Sequence, residues 1–359
     1  MVMQTGGVPS RSTRRAFITK SAGTLAAVGG AGGLLAACGS PAADKESNTS
    51  GSGSASGTVQ VVNILPPQLG YTAEYIADID GYFKKEGLDV KANTARGSAP
   101  AIQAVLSGTA LLSWVGWLES VIDIANQKAP IQAVAFTGRR STLAIVSDKG
   151  KPLSTPQDLT GQKIGIPSEG GTSETTLDLM LAANNIPTDK VPRQVTGFTP
   201  GTYELIKRGR ISGFVIGASQ EEQFRKAQPA STFLNTDKYV TDGLAYITSQ
   251  KGLQANKAKI QAYMRALKGA MEQVLDDKSS GFANTIKKLR SKYDFDELKD
   301  DDVAKFYIGY ISGGWVVDGR DKLLKVDPAQ WKETYDAAVK VKAAKPNIDV
   351  TKNVVPGLV

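Results

Sequence analysis

No histidine and a single cysteine, Cys38, occur among the 359 residues, and these two counts remove most covalent chemistry. Without imidazole there is no Ser-His-Asp or Cys-His unit and no His-ligated zinc. One thiol excludes an internal disulfide, a CxxC redox pair and a thiolate zinc cluster. An enzyme built from this chain has to run on Asp, Glu, Lys, Tyr or Arg. What remains is the chemistry of binding: polar side chains and glycines placed where strands end. No catalytic residue, cofactor or metal is expected.

Five segments carry that chemistry. Pro66-Pro67-Gln68-Leu69-Gly70-Tyr71 follows a strand, so Gln68 can donate to a ligand and Tyr71 can wall a cleft, although a turn into a helix explains the prolines equally well. In Arg96-Gly97-Ser98-Ala99-Pro100, Ser98 can cap a helix whose first amides also suit an anion. Ser113-Trp114-Val115-Gly116-Trp117-Leu118-Glu119 is less ordinary. Gly116 lets a ligand or backbone come close, Trp117 can lie over the cleft, and Glu119 can pair an ammonium. Core packing for Trp117 and a helix-dipole role for Glu119 are the plainer readings. Arg139 offers a guanidinium fork for a sulfonate or carboxylate, or is merely solvated. Finally, Gly170-Gly171-Thr172-Ser173 opens a helix and reads as an anion cradle, without the Gly-Lys-Ser/Thr ending of a phosphate loop.

The elements that must position these residues alternate between short β-rich runs and helical stripes. Val59–Ile64, Leu88–Val90, Leu111–Val115, Ile131–Phe136 and Thr142–Ser147 read as strands, separated by helices such as Tyr75, Ile76, Ile79, Tyr82 and Phe83 on one face. The cycle restarts at Lys163–Ile166 and ends with the strand Leu244–Thr248, after which the chain is mostly helical. Strands separated by helices predict an α/β fold with covered sheets. Two such units predict two lobes: residues 58–145, then 146–243 as the second lobe, then 244–359 returning to the first. Two crossovers make a hinge with an interlobe cleft, a favoured place for a small molecule.

The first 57 residues lie outside that fold. Residues 1–37 hold Arg11, Arg14, Arg15 and Lys20 and no acid, followed by a weakly apolar run to Ala37. Thr13-Arg14-Arg15-Ala16-Phe17 resembles a twin-arginine export signal, and Leu35-Ala36-Ala37-Cys38 resembles a bacterial lipobox, which implies cleavage before Cys38 and its lipidation. Residues 38–57 then read as a lipidated cysteine and a flexible Gly/Ser tether, with no Val, Ile, Leu, Met or aromatic residue to bury. Lipid, tether and globule predict an extracytoplasmic protein held at the cell membrane. The formal charge of +8 falls to +4 without the first 37 residues, too mild to argue for nucleic acid.

Three blocks resemble a known family. They are Gly81-Tyr82-Phe83-Lys84-Lys85-Glu86-Gly87-Leu88-Asp89-Val90, Ala101 to Ala110, and Thr155-Pro156-Gln157-Asp158-Leu159-Thr160-Gly161-Gln162-Lys163-Ile164-Gly165-Ile166. Their order and spacing are similar to those of the solute-binding proteins of ABC importers for nitrate, aliphatic sulfonates and taurine. The resemblance implies the two-lobed type II periplasmic-binding-protein fold and no enzymatic activity. It also implies a small-molecule ligand, an ABC permease with its ATPase as partner, and a monomer. The expected ligand is a small organic anion or zwitterion, sulfonate- or taurine-like first, with a vitamin precursor or aromatic carboxylate as the alternative.

Overall fold

The computed structural model describes residues 55–359, apart from Arg96, Ser168, Gly170, Phe198 and Thr241. Cys38, the export signal and nearly all of the tether lie outside the described residues. Among the described residues, ten strands form two five-stranded sheets. The first contains β1 (Gly57–Asn63), β2 (Leu88–Thr94), β3 (Leu112–Gly116), β4 (Ile131–Gly138) and β10 (Leu244–Ser249), in the order β2-β1-β3-β10-β4. The second contains β5 (Leu143–Asp148), β6 (Ile164–Ile166), β7 (Arg193–Val195), β8 (Gly213–Gly217) and β9 (Ser231–Asn235), in the order β7-β6-β8-β5-β9. β1 is parallel to β2 and β3, and β6 is parallel to β7 and β8. The two strands that enter each sheet from the other, β5 and β10, run antiparallel to their neighbours. The chain therefore crosses between the sheets twice, through residues 139–142 and 236–243.

Burial explains the layers. β4 is buried along nearly its whole length, as expected for a strand covered on both faces. One face of the first sheet packs on the helices Thr72–Ile79, Gln250–Asp276 and Asp301–Trp315 through Ile76, Met264, Leu267 and Ile308. The other face packs on Trp117–Gln127 and Pro328–Lys340 through Trp117, Val121 and Trp331, and this core continues to Ile164 and Leu177 of the second lobe. Local chemistry sets the helix ends. The Ser249 hydroxyl accepts from Gly252 N–H, and the carboxylates of Asp300 and Asp327 accept from the first amides of their helices. Pro328 stands at the first helical position, where a missing N–H is harmless.

Two details differ from the expectations. The single helix over Tyr75 to Phe83 is two, Thr72–Ile79 and Tyr82–Lys85, because Gly81 turns the chain at φ 73°. β9 was not foreseen; Ser231-Thr232-Phe233-Leu234-Asn235 adds to β5 at the sheet edge. No described helix is long and apolar enough to cross a membrane.

Candidate functional site

The carboxyl ends of the parallel strands in both lobes carry an unusual set of acids. β3 ends at Gly116, and the helix Trp117–Gln127 begins at the next residue. Its first amides are already taken: Trp117 N–H donates to Gly243 O at 2.9 Å, and Leu118 N–H donates to the Asp242 carboxylate. The carboxyl of Glu119 folds back over Gly116, where a β-carbon would overlap Glu119 Oε2. Glu119 Oε1 accepts from the hydroxyl of Thr172, the first residue of the helix Thr172–Ala183 in the second lobe. Oε2 is buried and has no partner among the described residues. Burial first, then the neighbouring carboxylates of Asp242 and Asp123, push the Glu119 pKa up to about 8. Asp242 is itself raised to about 6 by burial, against the pull of its two amide hydrogen bonds.

The second lobe adds more acceptors. Glu221, 6% exposed, opens the helix Glu221–Ala227 beyond β8, and Asn235 and Asp237 lie at and just beyond the end of β9. Glu221 Oε1, Asn235 Oδ1 and Asp237 Oδ1 are buried without a partner among the described residues, and burial raises the Glu221 pKa. Ser141 and Thr236 join the two crossovers by a 2.7 Å hydroxyl bond. Arg140, on the first crossover, lies 4.3 Å over the ring of Tyr310 and donates to the Tyr310 carbonyl at 2.6 Å. Apart from this strand-end set, Glu74 sits in a narrow cavity lined by Gly70, Trp114, Thr137, Tyr246 and Trp315. Burial raises its pKa to about 7, while the Tyr246 hydroxyl donates to it.

Of the residues singled out in the sequence, the structure brings Gly116, Glu119 and Thr172 together, with Gly171 beside them in extended backbone at φ −90°. Three placements are corrected. Trp117 is 1% exposed, 4.3 Å from the ring of Phe136 and 6.3 Å from that of Trp331 at a tilt of 53°, so it fills the core instead of covering the cleft. Arg139 donates to Asp318 at 2.9 Å, to Gln330 at 2.8 Å and to the carbonyls of Lys322 and Lys325. With a side chain only 4% exposed, it clamps the crossover to the C-terminal segment. Tyr71 is fully buried; its hydroxyl bonds both the N–H and the carbonyl of Leu65, bracing the loop after β1. Gln68 accepts from the Tyr307 hydroxyl at 2.7 Å, which ties that loop to the helix Asp301–Trp315. Ser98 is the first residue of the helix Ser98–Leu106, and Gly97 takes the cap position in a conformation, φ 103°, that disfavours side chains. Ser173 is partly exposed, and Gly170 lies outside the described residues.

Asp242, Glu221, Asn235 and Asp237 were not anticipated, whereas Arg140 belongs with Arg139 to the Gly138-Arg139-Arg140 segment read as a guanidinium fork. Asp242 precedes Gly243 and reads as an ordinary turn; nothing in its spacing says that it meets a helix start some 120 residues earlier.

Two sheets joined by two crossovers define the two-lobed type II periplasmic-binding fold. Residues 68–279 match the family model described as NMT1/THI5 like, more than half of the chain. The chain belongs to that family. Among curated proteins it is 29% identical over 136 residues to the riboflavin-binding protein RibY of Chloroflexus aurantiacus, covering 37% of this chain and 38% of that protein. It is 26% identical over 231 residues to the formylaminopyrimidine-binding protein of Halalkalibacterium halodurans, covering 62% and 68% of the two chains. In structure it superposes on the alkanesulfonate-binding protein SsuA of Xanthomonas axonopodis pv. citri with a TM-score of 0.64 at 13% identity, covering 83% of this chain and 98% of that one.

Proposed function

We propose that this chain is the extracytoplasmic binding lipoprotein of an ABC importer whose cleft takes a nitrogen heterocycle of the vitamin-precursor class. One observation carries the ligand class: the buried, unpartnered carboxyl oxygens at the strand ends, on Glu119, Glu221 and Asp237, are acceptors. A buried acceptor left unmatched is destabilising, so a ligand that supplies N–H groups there gains affinity. A sulfonate has only acceptors and a negative charge, and once Glu119 and Asp242 are ionised it meets repulsion there. Arg139 is committed elsewhere; Arg140 is held on Tyr310, with its Nε buried and unpartnered among the described residues, one donor against several acceptors. The proteins named for riboflavin and for formylaminopyrimidine support the same class, since both of those ligands are nitrogen heterocycles.

A thermal-shift panel of riboflavin, formylaminopyrimidine, taurine, an alkanesulfonate and nitrate tests this reading. A ligand present at about a hundred times its dissociation constant stabilises by about 2.7 kcal/mol. The reading expects a shift from a heterocycle and none from the sulfonates; the reverse pattern overturns it. Anchoring rests on Cys38, which falls where a lipobox requires it. Cys38→Ser is expected to move the protein from the membrane fraction to the soluble one with its melting temperature unchanged, and continued membrane association of the variant would refute the anchor. Delivery to the permease follows from the family. Crossing of the chain between the lobes only at 139–142 and 236–243 supports closure by hinge bending.

A further inference from the structure

Glu119 stands where three elements meet. Its own helix start is closed by Asp242 of the returning crossover, and its Oε1 receives the hydroxyl of Thr172 from the second lobe. Gly116 provides the space for its carboxyl, because any β-carbon there would overlap Oε2. That oxygen is buried and unpartnered among the described residues. A carboxyl with one oxygen bonded across the lobes and the other bare has a place for one more donor.

We propose that Glu119 is the specificity-determining residue of the cleft: Oε2 receives an N–H of the ligand ring while Oε1 holds Thr172, so one carboxyl reads the ligand and fastens the second lobe over it. The inference rests on the reading of the cleft as a nitrogen-heterocycle site, and names the atom that does the recognising. An N–H donor prefers the ionised carboxyl, so binding drives the proton on Glu119 into solvent, and affinity rises with pH until Glu119 is ionised without help. The charged groups that face it are acids: Asp242 on the crossover and Asp123 on its own helix. Glu174, in the same first turn as Thr172, is paired with Arg193 at 3.9 Å. The neighbouring helix Ser98–Leu106 has no charged residue, and Pro328–Lys340 meets the far side of the Glu119 helix through Trp331.

The test measures the affinity of riboflavin and of formylaminopyrimidine from about pH 6 to about pH 8.5, in the wild type, Glu119→Gln, Glu119→Leu and Asp242→Asn. The wild type is expected to gain up to roughly tenfold in affinity per pH unit below about 8 and then level off. Glu119→Gln keeps an acceptor oxygen but cannot ionise, so it binds with that slope removed; any titration of the ligand itself persists in both proteins and cancels. Glu119→Leu is expected to lose at least about tenfold at the upper pH, the usual scale for one lost hydrogen bond to a charged group. Asp242→Asn removes the nearest like charge and moves the break to lower pH, a response that a merely structural Glu119 would not give. If a heterocycle binds with the same pH profile in wild type and Glu119→Gln, the inference is wrong while the ligand class stands. If neither heterocycle binds, or only the sulfonate does, the ligand class falls and the inference falls with it.

Discussion

Replacing Glu119 with Gln should stabilise the ligand-free protein, and more so as the pH rises. Glu119 has its pKa pushed up to about 8 in the folded state, from an ordinary 4.5. Between those values the folded protein holds a proton that the unfolded chain has released, so wild-type stability falls as pH increases. The sign is opposite to that of a salt-bridged carboxylate. At about 1.4 kcal/mol per pH unit, the ceiling over the whole interval is about 5 kcal/mol. The measured value should be smaller, because Glu119 lies between the lobes and opening the cleft rehydrates it without unfolding anything. The growth therefore stops at the free energy of opening, and a difference of about 1–3 kcal/mol at the alkaline end is expected. Urea unfolding of wild type and Glu119→Gln at several pH values, with small-angle scattering for opening, gives both numbers. Near pH 4.5 the two proteins should differ least. Toward pH 8 the variant should be the more stable, and the wild type alone should expand. Glu74 and Glu221 also titrate, but they are present in both proteins and largely cancel in the difference, whereas Asp242, coupled to Glu119, contributes to it. Parallel stability profiles, or a wild type no more expanded than the variant at alkaline pH, would refute the reasoning.

Other perturbations separate recognition from support. Gly116→Ala should displace the Glu119 carboxyl and weaken heterocycle binding by roughly tenfold or more, while the double variant with Glu119→Ala should lose stability by less than the sum of the single changes, since the clash is with that side chain; a double-mutant cycle by urea unfolding and calorimetry checks both. Arg139→Ala should cost about 2–4 kcal/mol of stability by breaking the buried clamp to Asp318, Gln330 and two carbonyls, with ligand affinity nearly unchanged; a large affinity loss at intact stability would restore Arg139 to the site. Gly243→Ala should destabilise by about 1–3 kcal/mol, because its β-carbon would overlap the Gly138 carbonyl and come within 2.8 Å of the Trp117 ring, neither of which can move far; an unchanged unfolding midpoint would contradict this packing.

The alternation of strands and helices is a local signal and was visible in the residues, whereas the helix break at Gly81 was not. What the pattern around Trp117 could not decide is which way a short helix faces. Successive residues turn by about 100°, so Trp117 and Glu119 point to nearly opposite sides and only one can look into the cleft. The buried stripe Trp117, Leu118, Val121, Ile124 and Ala125 settles it, and a reading that weighed the whole stripe would have put Trp117 in the core. Arg139 shows a different limit: its partners Asp318 and Gln330 come from the far end of the chain, and charge spacing along the sequence is silent about them. The same holds for Asp242 against Glu119. β9 escaped notice because Ser231 to Asn235 has neither alternation nor a turn signal; it is a strand because β5 offers it an edge.

The central claim is that this cleft selects N–H donors over acceptor-only anions. Isothermal titration calorimetry of the full-length protein near pH 8.5, with formylaminopyrimidine, riboflavin and an alkanesulfonate titrated side by side, tests it most directly. The account predicts saturable binding of a heterocycle, micromolar or tighter, and no heat above dilution from the sulfonate. Saturable sulfonate binding with both heterocycles silent would contradict it.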